Sequence, residues 1–280
     1  MRYLLLQSMA LFVAGCASLP DNSGLWESHA LSGPRGSLIS KDFYAAPESG
    51  EGKSAFLLLS DDLDAFVARA VLTQEAATGI DLQYYMIHGD HVGKLLVGQL
   101  LKAAERGVRV RILTNSLAST DVTIVHAGYA RYRKALLRAG VELWELDETM
   151  SKEERKAIKK GYLGKSKSSL HAKAFVVDRK TVFIGSLNLD PRSVIQNTEI
   201  GVVFESPAIG RHIAEKFDAN IDKDAFRLEL VEDKEGGRSW IVWHGYRDGQ
   251  PVTWDTEPNT GFWRRFGVGF LRIMPIESQI

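Results

Sequence analysis

The residues best suited to chemistry lie close together in one segment of the chain. They follow the pattern H-x-K-x4-D-x6-G-S-x-N, which contains His171, Lys173, Asp178, Gly185, Ser186 and Asn188. A spacing of two places His171 and Lys173 on the same face of a strand, and a returning strand can carry Ser186 and Asn188 beside them. An imidazole, an ammonium, a hydroxyl and an amide would then point to one place, where they suit a phosphate group.

This pattern resembles the signature of the phospholipase D superfamily. The likeness extends further, because residues 107–280 resemble the second half of bacterial cardiolipin synthases of the class C, lipoprotein-like kind, and residues 54–106 resemble the start of their first half. Those enzymes are tandem repeats in which each half contributes one H-x-K. The resemblance implies an internally shortened form, with one phospholipase D-like domain over residues 54–280 and a junction near the strand VRVRIL.

The chemistry that fits these residues is an attack on a phosphodiester. Lys173 and Asn188 can neutralise the phosphate charge, and His171 can attack phosphorus to form a phosphohistidine. Its other ring nitrogen then needs an acceptor, and Glu199 fits the place where the family carries one. We interpret Asp178 as support for the turn and for nearby basic side chains rather than as a substrate contact. The sequence contains no cluster with metal-ligand spacing, so we predict no metal and no other cofactor.

The chain has one H-x-K pair where the resemblance implies a need for two. Of the seven histidines, only His171 has a lysine two residues later, and the spacing from His91 to Lys94 does not place both on one strand face. One histidine attacks and a second protonates the leaving alcohol. Single-motif members of the superfamily form homodimers in which the two histidines face each other across a two-fold axis. We therefore predict a homodimer, or pairing with a full-length paralogue.

The first twenty residues, MRYLLLQSMALFVAGCASLP, resemble a bacterial lipoprotein signal that ends at Cys16. The apolar run before Cys16 is too short to span a bilayer as a helix. We predict a signal peptide over residues 1–15, acylation of Cys16, and a lipid-anchored linker over residues 16–53. Cys16 is the only cysteine, which excludes an internal disulfide. Ala17 after the cysteine resembles lipoproteins sent to an outer membrane, so the expected location is the bacterial cell envelope, at the periplasmic face of the outer membrane.

The elements that must position the motif follow an α/β pattern. A short strand, a helix capped by Asp61, the strand IDLQYYMI, a second helix and the strand VRVRIL alternate, which predicts parallel pairing. A helix ending at Gly140, the strand VELWEL, three strands around the motif, a helix from about residue 207, a strand and a hairpin follow. We predict a single phospholipase D-like α/β sandwich domain with a mixed, largely parallel sheet flanked by helices. The arginines of VRVRIL are expected to face outward.

The C-terminal segment GFWRRFGVGFLRIM interleaves aromatic residues with arginines. The favoured interpretation is a helix that closes the sheet and buries its aromatic side chains. The alternative is a segment that lies at a membrane interface, which this composition also suits.

Composition and charge limit the classes of function. The net charge is zero, with 35 basic and 35 acidic residues, so no global field draws the protein toward polyanions and nucleic acid is disfavoured as the main partner. Residues 151–171 nevertheless hold seven Lys or Arg against two Glu, which can grip DNA or anionic head groups. Three functions stay open: a membrane-anchored phosphodiesterase or phosphatidyltransferase acting on phospholipids such as phosphatidylglycerol, a nuclease-type phosphodiesterase, and a non-catalytic remnant. The anchor and the synthase-like flanks favour the first.

Overall fold

Ten strands and six helices make up the part of the chain that the computed structural model describes, residues 56–85, 87, 91–120, 122–148, 169–188, 199–233 and 237–271. The strands are β1 (Phe56–Leu59), β2 (Gly79–Tyr84), β3 (Arg109–Asn115), β4 (Glu142–Leu146), β5 (Lys173–Val177), β6 (Thr181–Gly185), β7 (Gly201–Glu205), β8 (Ala225–Glu232), β9 (Ser239–Arg247) and β10 (Gln250–Trp254). The helices are α1 (Asp62–Glu75), α2 (His91–Glu105), α3 (Thr123–Ala130), α4 (Arg133–Arg138), α5 (Pro207–Asp224) and α6 (Phe262–Leu271). Cys16, the predicted linker and most of the basic segment lie outside the described residues.

The strands form one mixed sheet in the order β1-β7-β6-β5-β2-β3-β4-β8-β9-β10. The predicted α/β domain with a mixed sheet flanked by helices is therefore confirmed. The predicted excess of parallel pairing is wrong. Among the described strands only β2 with β3 and β3 with β4 pair in parallel, and the other seven neighbouring pairs are antiparallel. Short turns join β5 to β6 and β9 to β10, and such turns reverse the chain, whereas a parallel pair needs a crossover such as α2.

The first strand lies at the edge of the sheet instead of beside β2. It pairs antiparallel with β7, with Phe56 opposite Phe204 and Leu59 opposite Gly201. Three other strands, β7, β6 and β5, separate β1 from β2. The H-x-K residues lie at the start of β5 and the G-S-x-N residues at the end of β6. The strands β1 and β2, which come early in the chain, therefore flank the block of β7, β6 and β5 that carries the motif.

Side-chain caps define where two of the longer helices begin. Asp61 precedes α1, and its Oδ1 accepts hydrogen bonds from the backbone nitrogens of Leu63 (2.9 Å) and Asp64 (3.2 Å), as the sequence predicts. Ser206 precedes α5 and accepts from the nitrogen of Ile209 at 3.4 Å, followed by Pro207 at the first helical position. Both caps stabilise the amino-terminal turns of helices that pack on the sheet.

The two faces of the sheet are covered by different helices. α1 and α2 pack over a core that includes Ile80, Leu82, Ile112, Phe175 and Phe183. On the opposite face, Phe217 of α5 packs against Trp144. Arg111 points to that face, where it is buried between Asp81 and Asp218 with its guanidinium 4.6 Å from the Phe217 ring centroid. The prediction that the arginines of this strand face outward therefore fails for Arg111, because α5 covers it.

The segment before Gly140 forms two helices rather than the one predicted, with a break between Ala130 and Arg133. Arg133 is buried, and its guanidinium lies 2.6 Å from Glu145 of β4 and 2.7 Å from Glu257. Burial alone would raise the pKa of Glu257, but the charge of Arg133 and the hydrogen bond with His126 outweigh it and hold that pKa well below its usual range. This ion cluster ties α4 and β4 to the segment before α6.

The C-terminal helix α6 does not bury its aromatic side chains. The prediction of a closing helix with a buried aromatic face is wrong for four residues that are exposed, Phe262, Trp263, Phe266 and Phe270. Val268 alone is buried in this helix, against Leu117 and Ala127. None of the helices in the described part of the chain is both long enough and apolar enough to cross a bilayer.

Candidate active site

His171 and Lys173 lie side by side at the amino-terminal end of β5. His171 is exposed, Lys173 is buried, and Lys173 Nζ lies 3.0 Å from His171 Nε2. An ammonium group can only donate, so Nε2 accepts this hydrogen bond, and the proton of the neutral imidazole is then on Nδ1. The Nε2 lone pair therefore points at the Lys173 ammonium, the group whose charge would hold an anion beside the ring.

The ring of Tyr85 packs beside both His171 and Lys173. Its ring centroid is 4.5 Å from that of His171, and Lys173 Nζ lies 5.0 Å from the Tyr85 ring centroid. The main chain fixes the tyrosine, because Tyr85 N donates to Ala172 O at 2.9 Å and Tyr84 lies opposite Lys173 in the β2–β5 register. A ring face near an ammonium stabilises the cation by its quadrupole. Tyr85 therefore helps to orient both members of the H-x-K pair.

The G-S-x-N residues extend from the end of β6, the neighbour of β5. Ala174 lies opposite Ile184, so the register places Gly185 opposite Lys173. Ser186 joins β6 to the start of β7: its nitrogen donates to Ile200 O at 2.9 Å, and its Oγ accepts from Ile200 N at 3.0 Å. Asn188 Oδ1 is buried and has no hydrogen-bond partner among the described residues. The structure thus brings the two arms of the motif to the same end of the sheet.

Only glycine fits at position 185. A Cβ there would lie 2.8 Å from Ile200 O and 2.9 Å from Cζ of Phe183. Gly201 lies opposite in the register, and a Cβ there would also meet the Phe183 ring at 2.9 Å. The two glycines let β6 and β7 close over that ring, which sets the position of Ser186.

Asp178 lies at the far end of β5, roughly 16 Å along the strand from Lys173 at the usual rise per residue. It adopts a left-handed backbone conformation (φ 51°) in the turn to β6. Its carboxylate accepts from the nitrogens of Ala77 (3.0 Å), Thr78 (2.7 Å) and Gly79 (3.0 Å) and from Thr78 Oγ1 (2.8 Å). The interpretation of Asp178 as a structural residue agrees with these contacts, but what it supports is the main chain entering β2 rather than basic side chains.

Partial burial alone would raise the pKa of Asp178. The three backbone donors and the Thr78 hydroxyl outweigh that effect and hold the pKa below its usual value, because they stabilise the ionised form. The ionised carboxylate therefore stabilises the attachment of the turn after β5 to the main chain at the start of β2.

Glu199 stands two residues before β7, next to Ile200, which is hydrogen-bonded to Ser186. It thus belongs to the same end of the sheet as the motif. Its role as the acceptor for the second ring nitrogen of His171 stays a prediction.

Asn115 is a residue that the sequence analysis missed. It ends β3, is buried, and its Nδ2 donates to Leu170 O (3.0 Å) and to Tyr85 O (3.2 Å) while its Oδ1 accepts from Leu170 N (2.9 Å). It therefore holds the residue before His171 and the tyrosine beside it. The available signal was the change from the apolar strand residues of VRVRIL to the largely polar run TNSLAST.

Arg69 was also missed, because a charged residue in an amphipathic helix is normally assigned to the exposed side. It is fully buried in α1, where Nη1 donates to Tyr84 Oη and, at 3.2 Å, to Leu187 O. Tyr84 Oη donates to the same carbonyl at 2.8 Å. Arg69 and Tyr84 together fix the loop that carries Asn188.

Within the described part of the chain, no group of three or more His, Cys, Asp or Glu side chains is placed to hold a metal ion. The motif supplies an imidazole, an ammonium and an amide at this end of the sheet, and such a set suits a phosphate oxyanion rather than a hard cation.

The chain is similar to several known proteins. The family described as cardiolipin synthase, PLD-like domain, matches residues 72–221, more than half of the chain. Cardiolipin synthase C of Escherichia coli K12 is 46% identical over 182 residues, which cover 65% of this chain and 37% of that protein. Cardiolipin synthase A of Pseudomonas putida W619 is 31% identical over 134 residues, covering 47% of this chain and 25% of that protein. The solved structure of Nuc, a phospholipase D family member from Salmonella typhimurium, aligns with a TM-score of 0.47 and 19% identity, covering 61% of this chain and 98% of that one.

The chain spans little more than a third of the E. coli synthase and a quarter of the P. putida one. The family match nevertheless contains both arms of the motif, from His171 to Asn188. This chain therefore belongs to the phospholipase D superfamily, within the cardiolipin synthase family of phospholipase D-like domains.

Proposed function

We propose that this protein breaks and re-forms phosphodiester bonds in phospholipids, with His171 as the nucleophile. The observation that carries the proposal is the 3.0 Å contact between Lys173 Nζ and His171 Nε2 at an accessible strand end. An anionic phosphate bound by the ammonium would take over the hydrogen bond from Nε2, which frees the Nε2 lone pair next to phosphorus. Charge neutralisation and attack would then come from neighbouring side chains of one strand.

In the first step, Nε2 of His171 attacks phosphorus and a P–N bond forms as the P–O bond to the leaving alcohol breaks. A general acid gives its proton to the leaving oxygen. Lys173 stays protonated and binds the phosphate oxygens together with the amide nitrogen of Asn188. Glu199 accepts the Nδ1 proton in a hydrogen bond and stabilises the positive charge that develops on the ring.

In the second step, the oxygen of an alcohol or of water attacks phosphorus, the P–N bond breaks, and the proton of the attacking group passes to a general base. With phosphatidylglycerol as both donor and acceptor, the products are cardiolipin and glycerol. With water as the acceptor, the product is phosphatidic acid. Both outcomes use the same covalent intermediate.

The proton donor of the first step comes, in this proposal, from a second copy of the chain. His171 is the only histidine followed by a lysine at a spacing of two. A two-fold axis near the exposed imidazole would bring the same histidine of another copy to the leaving oxygen. A full-length paralogue could supply the equivalent group.

Phospholipid is the proposed substrate for two reasons. The similar proteins from E. coli and P. putida are named cardiolipin synthases. The predicted acylation of Cys16, which would anchor the protein at the periplasmic face of the outer membrane, would also hold the site at a lipid surface.

The test uses the full-length protein in mixed micelles that contain phosphatidylglycerol. We expect cardiolipin or phosphatidic acid to form, measured by mass spectrometry of the lipids. An alkaline quench, under which phosphohistidine persists, should leave a phosphatidyl adduct on the peptide that contains His171. The mass of the protein in the same detergent should correspond to a dimer.

His171→Ala should abolish both the products and the adduct, whereas His212→Ala should retain both, because His212 is exposed on α5, away from the motif. Product formation by His171→Ala would refute the assignment of His171 as the nucleophile. Cleavage of plasmid DNA without lipid turnover would favour the nuclease-type function, and the absence of all activity in a monomer would favour a non-catalytic remnant.

A further inference from the structure

The helix α6 presents an aromatic face to solvent. The exposed fractions of its large side chains are 63% for Phe262, 79% for Trp263, 59% for Phe266 and 53% for Phe270. At about 100° per residue these four positions fall within an arc of about 100° on the helix. Three of the rings also contact one another: the ring centroid of Phe266 lies 6.2 Å from that of Phe262 and 6.2 Å from that of Trp263. An exposed, contiguous apolar patch of this kind marks an interaction surface.

The opposite side of α6 attaches it to the domain. Val268 packs against Leu117 and Ala127, and Arg264 Nη2 donates to Thr120 O at 2.8 Å. Arg265 donates to Thr260 O at the start of the helix. The helix is therefore seated by its small and basic residues, which leaves the aromatic residues on the outer side.

The seat of α6 is part of the structure that holds His171. Thr120 N donates to Ser116 O at 3.0 Å in the turn that follows β3, and Asn115 ends that strand. Asn115 in turn holds Leu170, the residue before His171. The helix α6 and His171 thus lie at the same end of the sheet.

We propose that α6 docks on the surface of an anionic phospholipid bilayer and turns the catalytic end of the sheet toward the lipid. Phenylalanine and tryptophan side chains on one face of a short helix suit the boundary between head groups and acyl chains. Arg264 and Arg265 lie on the seated side and donate to backbone carbonyls, which do not neutralise their charge, and the helix has no acidic residue, so its net positive charge favours an anionic surface. A second copy of α6 would bring the same positive charges to the interface, so charge favours the bilayer over self-association.

Docking of α6 does not depend on catalysis, but the delivery of substrate to His171 rests on the proposed function. The two claims are therefore tested by separate measurements, a position measurement on Trp263 and a comparison of two substrates.

The position measurement uses the full-length protein in vesicles of phosphatidylcholine and phosphatidylglycerol whose acyl chains carry bromine, which quenches tryptophan emission on contact. The emission that Trp263→Phe removes is expected to be quenched by the brominated lipid and shielded from acrylamide in the water. Trp240→Phe is the matched control: Trp240 is 43% exposed on β9, and the emission that this variant removes should stay accessible to acrylamide.

Two results of this measurement overturn the proposal. Trp263 emission that acrylamide quenches and brominated lipid does not would place α6 in water. Trp263 emission shielded from both quenchers, in a dimer that Phe266→Ser dissociates, would show that a second copy covers the face.

The substrate comparison uses the double variant Phe262→Ser, Phe266→Ser. Its turnover of phosphatidylglycerol in vesicles is expected to fall roughly tenfold, because interfacial binding scales with the apolar area inserted, while its turnover of soluble bis(p-nitrophenyl) phosphate stays unchanged. Phe56→Ser, which alters another exposed phenylalanine at the sheet edge, should change neither rate.

An equal loss on both substrates would make α6 a structural element and refute the docking role. Normal quenching of Trp263 in a wild-type protein that turns over neither substrate would refute the proposed function and leave membrane docking in place.

Discussion

Asp178 belongs to the motif, yet its contacts predict that replacing it damages the fold and spares the chemistry. In Asp178→Asn the remaining oxygen can still accept from Thr78 and Gly79, but the charge is lost. The new amide group would also face Ala77 N, which donates to Oδ2 at 3.0 Å, so two donors would meet. The variant should therefore weaken the attachment of β5 to the start of β2.

The size of the effect follows from these contacts. A hydrogen bond to a charged group contributes about 1.5–3 kcal/mol and a neutral one about 0.5–1.5 kcal/mol. Three main-chain donors and one hydroxyl are affected, but the carboxylate is only partly buried and such contributions are not additive. We expect the free energy of unfolding to fall by about 2 kcal/mol.

The pH dependence of the stability difference between wild type and Asp178→Asn is a second test of this reasoning. The folded-state pKa of Asp178 is lowered, so its stabilisation is fully present above the ordinary aspartate pKa of about 3.9 and is lost as pH falls through the folded-state value. The difference in stability between wild type and Asp178→Asn should therefore be largest at neutral pH and shrink below about pH 4.

The assay is urea unfolding at several pH values, together with turnover per folded molecule. Asp248→Asn is the control, because Asp248 also has a positive φ (52°) in a hairpin turn, and an exposed change of this kind should stay within about 0.5 kcal/mol. Unchanged stability combined with a large loss of turnover in Asp178→Asn would refute the reasoning and place Asp178 in the reaction.

Four further outcomes are expected. Lys173→Ala should lower turnover at least about a hundredfold while circular dichroism stays native, since it removes the charge that holds the phosphate; turnover near the wild-type level would contradict this. Asn115→Ala should reduce kcat with little change in KM, because it releases Leu170 and Tyr85 rather than a substrate contact; a change in KM alone would argue against a positioning role. Gly210→Ala should lower the free energy of unfolding by roughly 1–3 kcal/mol in urea titrations, because its Cβ would lie 2.5 Å from Arg179 O, whereas Gly98→Ala, with open space, should not destabilise. Cys16→Ser should abolish labelling by palmitate, since sulfur is the acyl acceptor, and persistent labelling would exclude this anchor.

Local features of the sequence were sufficient to predict most elements and both arms of the motif. The cap at Asp61 and the turn of the β9–β10 hairpin depend on residues a few positions apart, and the structure has both of them. The pairing of His171 with Lys173 is local in the same sense, because a spacing of two on a strand brings side chains to one face.

The neighbours of each strand were not predictable from such patterns. An amphipathic helix between two strands suggests that the strands form a parallel pair. Instead, β1 pairs antiparallel with β7, about 145 residues later in the chain. Nothing near Phe56 in the sequence encodes that partner, since hydrophobic periodicity reports which face is buried and not which strand lies alongside.

The support of the site and the exposure of α6 were likewise decided by tertiary structure. Arg69 and Asn115 hold Leu187 and Leu170 through hydrogen bonds that span 118 and 55 residues. The aromatic residues of α6 have the composition of a core helix, but the surface beneath it, formed by α3 and the turn after β3, contacts Val268 and leaves the four aromatic side chains exposed. Composition determines how much apolar surface an element carries, whereas burial depends on what the rest of the chain places against it.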